Sequence, residues 1–108
     1  MEKIICRIKE RSWLAGRAAR KMDSARLAMV LGRTIHLHGV NRQAFLADVA
    51  WLRHEVCHVR QFRSYGFWRF LWLYLLEYRR RGYYNNRFEV EARLAEKDEG
   101  MLAGVEIE

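Results

Sequence analysis

The residues best equipped for chemistry lie in one run of five, His54-Glu55-Val56-Cys57-His58. If the run is helical, its two histidines stand about 40° apart around the axis, so their ring nitrogens can converge on one metal ion. Glu55 then lies about 100° from His54 and about 60° from His58, beside such an ion rather than between the histidines. A carboxylate in that place suits a general base, because Zn2+ lowers the pKa of its water towards about 7 and a neighbouring carboxylate can take the proton. Ala44, Ala47, Trp51 and Phe62 fall on the histidine side of the same wheel, with Arg42, Arg53 and Arg60 roughly opposite. A charged Glu55 on an apolar face costs free energy unless it is paired or has a task. The plainer reading of the run is two core histidines and a glutamate on a helix surface.

A tetrahedral zinc site needs a third protein donor and one open position. Two glutamates offer it, Glu89 and Glu91, in Asn86-Arg87-Phe88-Glu89-Val90-Glu91-Ala92-Arg93-Leu94-Ala95. On a helical wheel Val90, Leu94, Phe88, Ala92 and Ala95 form an apolar arc with Glu91 near its centre, whereas Glu89 falls beside Arg93 and Glu96. Burial periodicity therefore points to Glu91. The two carboxylates are about 200° apart and cannot both serve one ion.

With this downstream helix the run resembles the gluzincin type of zinc metallopeptidase. There an HExxH helix is followed, after a few tens of residues, by a helix carrying a ligand glutamate, which in several families begins an E-x-x-A pattern. Glu89-Val90-Glu91-Ala92 matches that pattern, and the resemblance spans roughly Thr34 to Glu96. It implies a zincin-like core, Zn2+ held by His54, His58 and Glu89, and Glu55 as the general base for hydrolysis of a peptide or protein substrate. On this match Glu89 is preferred to Glu91. The resemblance also implies an edge strand, Thr34 to His38, that holds an extended peptide by backbone hydrogen bonds. Many gluzincins carry an acidic residue after the small one. Here it is Arg93, so support for a ligand histidine must come from elsewhere.

These residues need elements to hold them. Ile4, Cys6 and Ile8 alternate with polar neighbours and predict a short strand over Lys3 to Lys9. Ser12 can cap a basic helix running to about Met22, and the two apolar runs about Gly32-Arg33, between Ala25 and Gly39, read as a β-hairpin. Asn41 caps a long helix that keeps its periodicity to about Phe62. Ser64-Tyr65-Gly66 ends it, a second helix follows from Phe67 to Arg80, Arg81 to Asn86 forms a loop, and the glutamate helix ends before Gly100. The tail from Met101 is a strand or disordered. The expected fold is α+β and mostly helical, a zincin-like single domain over 1–108 with a small antiparallel sheet and an HExxH active-site helix.

A chain of 108 residues leaves no room for a second domain, and 51% hydrophobic residues exclude intrinsic disorder. Cys6 and Cys57 are too few for a disulfide framework and too far apart for a CxxC site, so they read as reduced thiols. No secretory signal is present in the first residues and no apolar stretch reaches the roughly 20 residues a spanning helix needs. A cytoplasmic location is the expectation. Phe67 to Tyr78 is apolar nearly all round, which predicts a central helix, with a homodimer or partner-protein face as the alternative. Arg79-Arg80-Arg81 can complement the negative end of that helix. Twenty Lys and Arg against 13 Asp and Glu give a net charge of +7, but the basic residues match no nucleic-acid motif, which disfavours nucleic acid. His36 and His38 share one side of their strand and form a candidate second metal pair, and Tyr83 or Tyr84 could reach an oxyanion. Beside the metallopeptidase reading stands a catalytically silent metal-binding or interaction module on the same fold.

Overall fold

The computed structural model describes residues 3–108. It opens with strand β1 (Ile4–Lys9), whose alternation buries Ile4 and Cys6. Ser12 then caps helix α1 (Trp13–Lys21), its Oγ accepting from the Ala15 amide at 3.3 Å. The hairpin follows as β2 (Leu27–Leu31) and β3 (Thr34–His38), with Leu31 opposite Thr34 across a Gly32-Arg33 turn. Gly39 closes this unit at φ 74°. A Cβ there would lie 2.1 Å from the Ala25 carbonyl oxygen, so no other residue fits without moving backbone.

The long helix predicted from Asn41 is two helices. Asn41 caps α2 (Arg42–Ala47), and Asp48, at φ −89° and ψ 88°, caps a fresh start in α3 (Val49–Tyr65). The Asp48 carboxylate accepts from the Trp51 amide at 3.2 Å, a local bond that competes with helix continuation. Gly66, at φ 90°, then turns the chain into α4 (Phe67–Asn85). This helix runs beyond Arg80 through a kink at Gly82, so most of the expected loop is helical. Asn86 caps α5 (Arg87–Ala95), and the tail forms β4 (Val105–Ile107).

The sheet has the order β2-β3-β1-β4 and is mixed rather than antiparallel. Only β2 and β3 run antiparallel, joined by their two-residue turn. β1 pairs parallel with both β3 and β4. The reason is connectivity: α1 leads from β1 into β2, which runs the opposite way, the hairpin then turns β3 back to run with β1, and β4 returns to the other side of β1 only after the four helices α2 to α5. Ile4, Cys6, Ile35 and Leu37 on the sheet pack against Phe45, Leu52, Val56 and Val59, which joins sheet and α3 in one core. Phe62, Phe70 and Phe88 knit α3, α4 and α5 together, with ring centroids 4.6 and 4.9 Å apart. Cys57 meets Ala92 and Ala95 where α3 and α5 pass closest, and both cysteines are buried and free.

The result is a compact α+β domain, predominantly helical. Among the described residues no helix is long and apolar enough to cross a membrane. One expectation reverses. Within α4 only Phe70 is buried, while Trp68 and Trp72 stand out on the surface. The helix is peripheral because the sheet and α3 already fill the centre, and α4 adds to it only Phe70 with the partly buried Leu71, Leu73 and Tyr74.

Candidate metal centre

His54, Glu55 and His58 lie mid-way along α3, and the helical spacing brings both histidines to the side that faces α5. From α5, Glu89 projects back. Its Oε1 is 3.0 Å from His54 Nε2 and 3.2 Å from His58 Nε2, and the three donor atoms lie within 4.8 Å of one another. Three residues from two helices thus form a group that could hold a metal ion.

Glu91 is elsewhere. It is exposed, and its carboxylate takes bonds from Gln61 Nε2 at 3.1 Å and from the Cys57 thiol. The apolar arc that favoured it divides in the fold, since Phe88, Ala92 and Ala95 are buried with Glu89 while Val90 and Leu94 face outward at 39% and 73% exposure. The pattern match identifies the converging glutamate, and burial periodicity misleads because α5 carries apolar residues on both sides.

The outer partners of the two rings decide what the centre can hold. His54 Nδ1 is 2.8 Å from Glu96 Oε2, a carboxylate that can only accept, so Nδ1 carries the proton. His58 Nδ1 is 2.8 Å from Gln61 Oε1. The Gln61 amide nitrogen donates to Phe88 O and Glu91, which turns its oxygen to the ring, so Nδ1 donates here too. Both tautomers therefore leave an Nε2 lone pair aimed at the Glu89 oxygen. Two lone pairs and a carboxylate oxygen directed at one another repel unless a cation lies among them, so the donor set fits a divalent ion. Protons alone would meet the same need by charging the rings. Burial lowers the pKa of His54, but Glu89, Glu55 and Glu96 outweigh it and raise it to about 9. His58 is raised in the same way against its burial, chiefly by Glu89. Burial alone would raise Glu89, yet the two histidines hold it well below the usual carboxylate range.

Glu96 supplies the carboxylate support for which Arg93 stands in the wrong place, three residues further along α5 at its C-cap. Arg93 instead donates to Tyr84 O and stacks on the Tyr84 ring, which is 69% exposed and does not line the donors' cleft. Tyr83 does line that cleft. Like Glu96, Tyr74 is a contact that sequence reasoning missed; its hydroxyl donates to Glu89 Oε2 at 2.5 Å. Its signal was its place one turn after Phe70, on the one inward side of α4, but an all-apolar helix hides which side is inward.

Glu55 is 5% exposed, and burial pushes its carboxyl up to about 7 against the downward pull of His58 and His54. It opens, with His54, His58, Glu89, Tyr74 and Tyr83, onto a cleft of about 770 Å³ whose far wall is β2, from Leu27 to Leu31. The strand beside the cleft is thus β2, the sheet's edge; β3 lies inside the sheet, paired on both sides. His36 and His38 face away from the cleft. His36 is buried with Nδ1 2.7 Å from Ser12 Oγ, and His38 packs near Gly16 of α1.

Comparison with family models, with curated proteins and with solved structures gives no match to this chain.

Proposed function

We propose that the chain is a small zinc-dependent metallopeptidase of gluzincin type on a zincin-like core, acting on peptides or proteins. The observation that carries the reading is the convergence of His54 Nε2, His58 Nε2 and Glu89 Oε1 beside a buried Glu55, all opening on a cleft bordered by an edge strand. When bound by these three donors, zinc would lower the pKa of a water and polarise a substrate carbonyl.

The chain's own residues supply the rest. Glu55 opens onto the cleft beside the three donors, and its burial favours the protonated carboxyl, so it can both take up and release a proton. Glu55 accordingly takes the proton of the attacking water and returns it to the leaving amine. The outer edge of β2 offers backbone groups to an extended peptide, which would lie along the cleft past Glu55. Glu96 and Gln61 hold the two histidine rings in the tautomer that directs Nε2 inward. Two buried free thiols suit a reducing compartment such as the cytoplasm.

The test is metal analysis of protein purified without a metal-affinity tag, followed by a peptide-library digest. About one zinc per chain, lost in His58→Ala and Glu89→Ala but retained in Glu91→Ala, is the expected outcome. Glu55→Gln should keep the zinc and lose cleavage by about 100-fold or more. Zinc bound without cleavage of any peptide would leave a metal-binding interaction module, and no zinc after reconstitution would overturn both readings.

A further inference from the structure

The outward side of α4 carries a run of large apolar side chains left in water. Trp68, Trp72 and Leu75 follow one another at spacings of four and three residues, so they form a single stripe along the helix, and they are 77%, 67% and 53% exposed. Exposed tryptophans side by side on a helix leave water with a large apolar area to hydrate. Arg79 continues the same stripe, and exposed Arg69 and Arg80 flank it. Between Phe67 and Arg87 five arginines stand against a single carboxylate, Glu77, which pairs with Arg81 at 3.0 Å.

We propose that this face is a docking surface for an anionic lipid interface, on which the protein rests without crossing it. Two features select that occupant. Tryptophan rings favour the headgroup level of a bilayer, where an apolar body meets wet headgroups, and neighbouring arginines can extend to lipid phosphates. Anionic headgroups also attract each basic residue near the surface, so the charge and the apolar stripe act together. A second copy of the chain fits poorly. A two-fold interface lays a patch against itself, which would gather the arginines of both copies into one interface with only Glu77 of each copy to offset them.

The orientation has a consequence for the cleft. Leu75 belongs both to the stripe and to the cleft wall, and Leu71 and Tyr78 continue that wall towards the metal donors. Docking by α4 therefore sets the mouth of the cleft beside the lipid surface. This inference does not depend on peptidase activity.

The experiment is sedimentation of the full chain with large vesicles of phosphatidylcholine alone or with about 30% phosphatidylserine, at low and physiological salt, with tryptophan emission read in parallel. The expected result is binding to the phosphatidylserine vesicles, weakened by salt, with a blue shift of the emission. Trp68→Ala combined with Trp72→Ala should weaken binding at least about tenfold, and so should Arg79→Glu with Arg80→Glu. All four positions are exposed, so circular dichroism and thermal melting should match wild type. Failure to bind either vesicle at low salt would overturn the proposal, as would equal binding to both compositions or binding that survives both double substitutions. A concentration-dependent dimer in analytical ultracentrifugation, dissolved by the tryptophan substitutions, would assign the face to a second copy instead.

Discussion

The positions of three side chains carry the centre, and the side chains behind them determine how well it works. Tyr74 holds one oxygen of Glu89, leaving the other to face the histidines, and Glu96 fixes the His54 ring. Partners of this kind tune affinity without touching the ion, commonly by about 10- to 100-fold. Tyr74→Phe and Glu96→Gln should each weaken zinc binding by that order in a competition titration with a chromogenic chelator. The fold should persist, because neither substitution opens a cavity. A second residue-scale prediction concerns Ser12 and His36. The Ser12 hydroxyl accepts from the Ala15 amide and lies 2.7 Å from His36 Nδ1, which buries the ring against α1. Burial, and then the charge of Lys9, keeps the pKa of His36 below its ordinary value. The unfolded ring gains a proton as pH falls past about 6.5 while the folded one resists, so the native state binds fewer protons and loses stability in that window. In urea melts the advantage of wild type over His36→Asn should shrink between about pH 7.5 and about pH 5.5 and stay flat above. Ser12→Ala should cost about 1 kcal/mol through loss of the cap. At this scale the five-residue run was legible in the sequence because its geometry lies within one helix. Tyr74 and Glu96 were not, since each reaches the centre from another element whose rotation no local pattern specifies.

The elements matter through how closely they approach. Helices α3 and α5 meet over Cys57, Ala92 and Ala95, three small residues, and it is this close passage that lets a glutamate of one helix reach histidines of the other. Ala92 is fully buried. Ala92→Leu would force the helices apart and should cost about 1 to 3 kcal/mol by overpacking. It should also displace Glu89, so zinc affinity should fall together with stability, whereas Leu94→Ala on the exposed side of α5 should change neither. Joint measurement of melting temperature and chelator competition separates the two cases. Caps and glycines made most elements readable in advance, as at Ser12, Asn41, Gly32 and Gly66. The break at Asp48 was missed because its flanks keep helical periodicity, and only the carboxylate's bond to the Trp51 amide starts the new helix. Rotation was the harder quantity. An arc with apolar residues on both sides made Glu91 look central to α5, and a helix apolar all round made α4 look central to the fold.

At the scale of the whole molecule, the mixed sheet shows what local patterns leave open. The alternation of β1 identified a strand but not its direction relative to neighbours, which follows from the hairpin that turns β3 back beside it and from the helices that return β4. The same connectivity would make a bound metal a long-range tie. The ligands are separated by the entire length of α4, so an ion held by His54, His58 and Glu89 closes a loop that the unfolded chain leaves open. A ligand that binds only the native state stabilises it by mass action, by about 4 kcal/mol at a free concentration 1,000 times Kd. In a domain of this size that corresponds to a rise in melting temperature on the order of 15 °C or more. Zinc should therefore raise the Tm of wild type and of Glu55→Gln alike, and chelator should reverse it, because Glu55 is no ligand. His58→Ala and Glu89→Ala should melt at one temperature with or without zinc. A zinc-dependent rise that persists in Glu89→Ala would place the ion on other donors, and equal melting of wild type with and without zinc would dissolve the tie between α3 and α5 altogether.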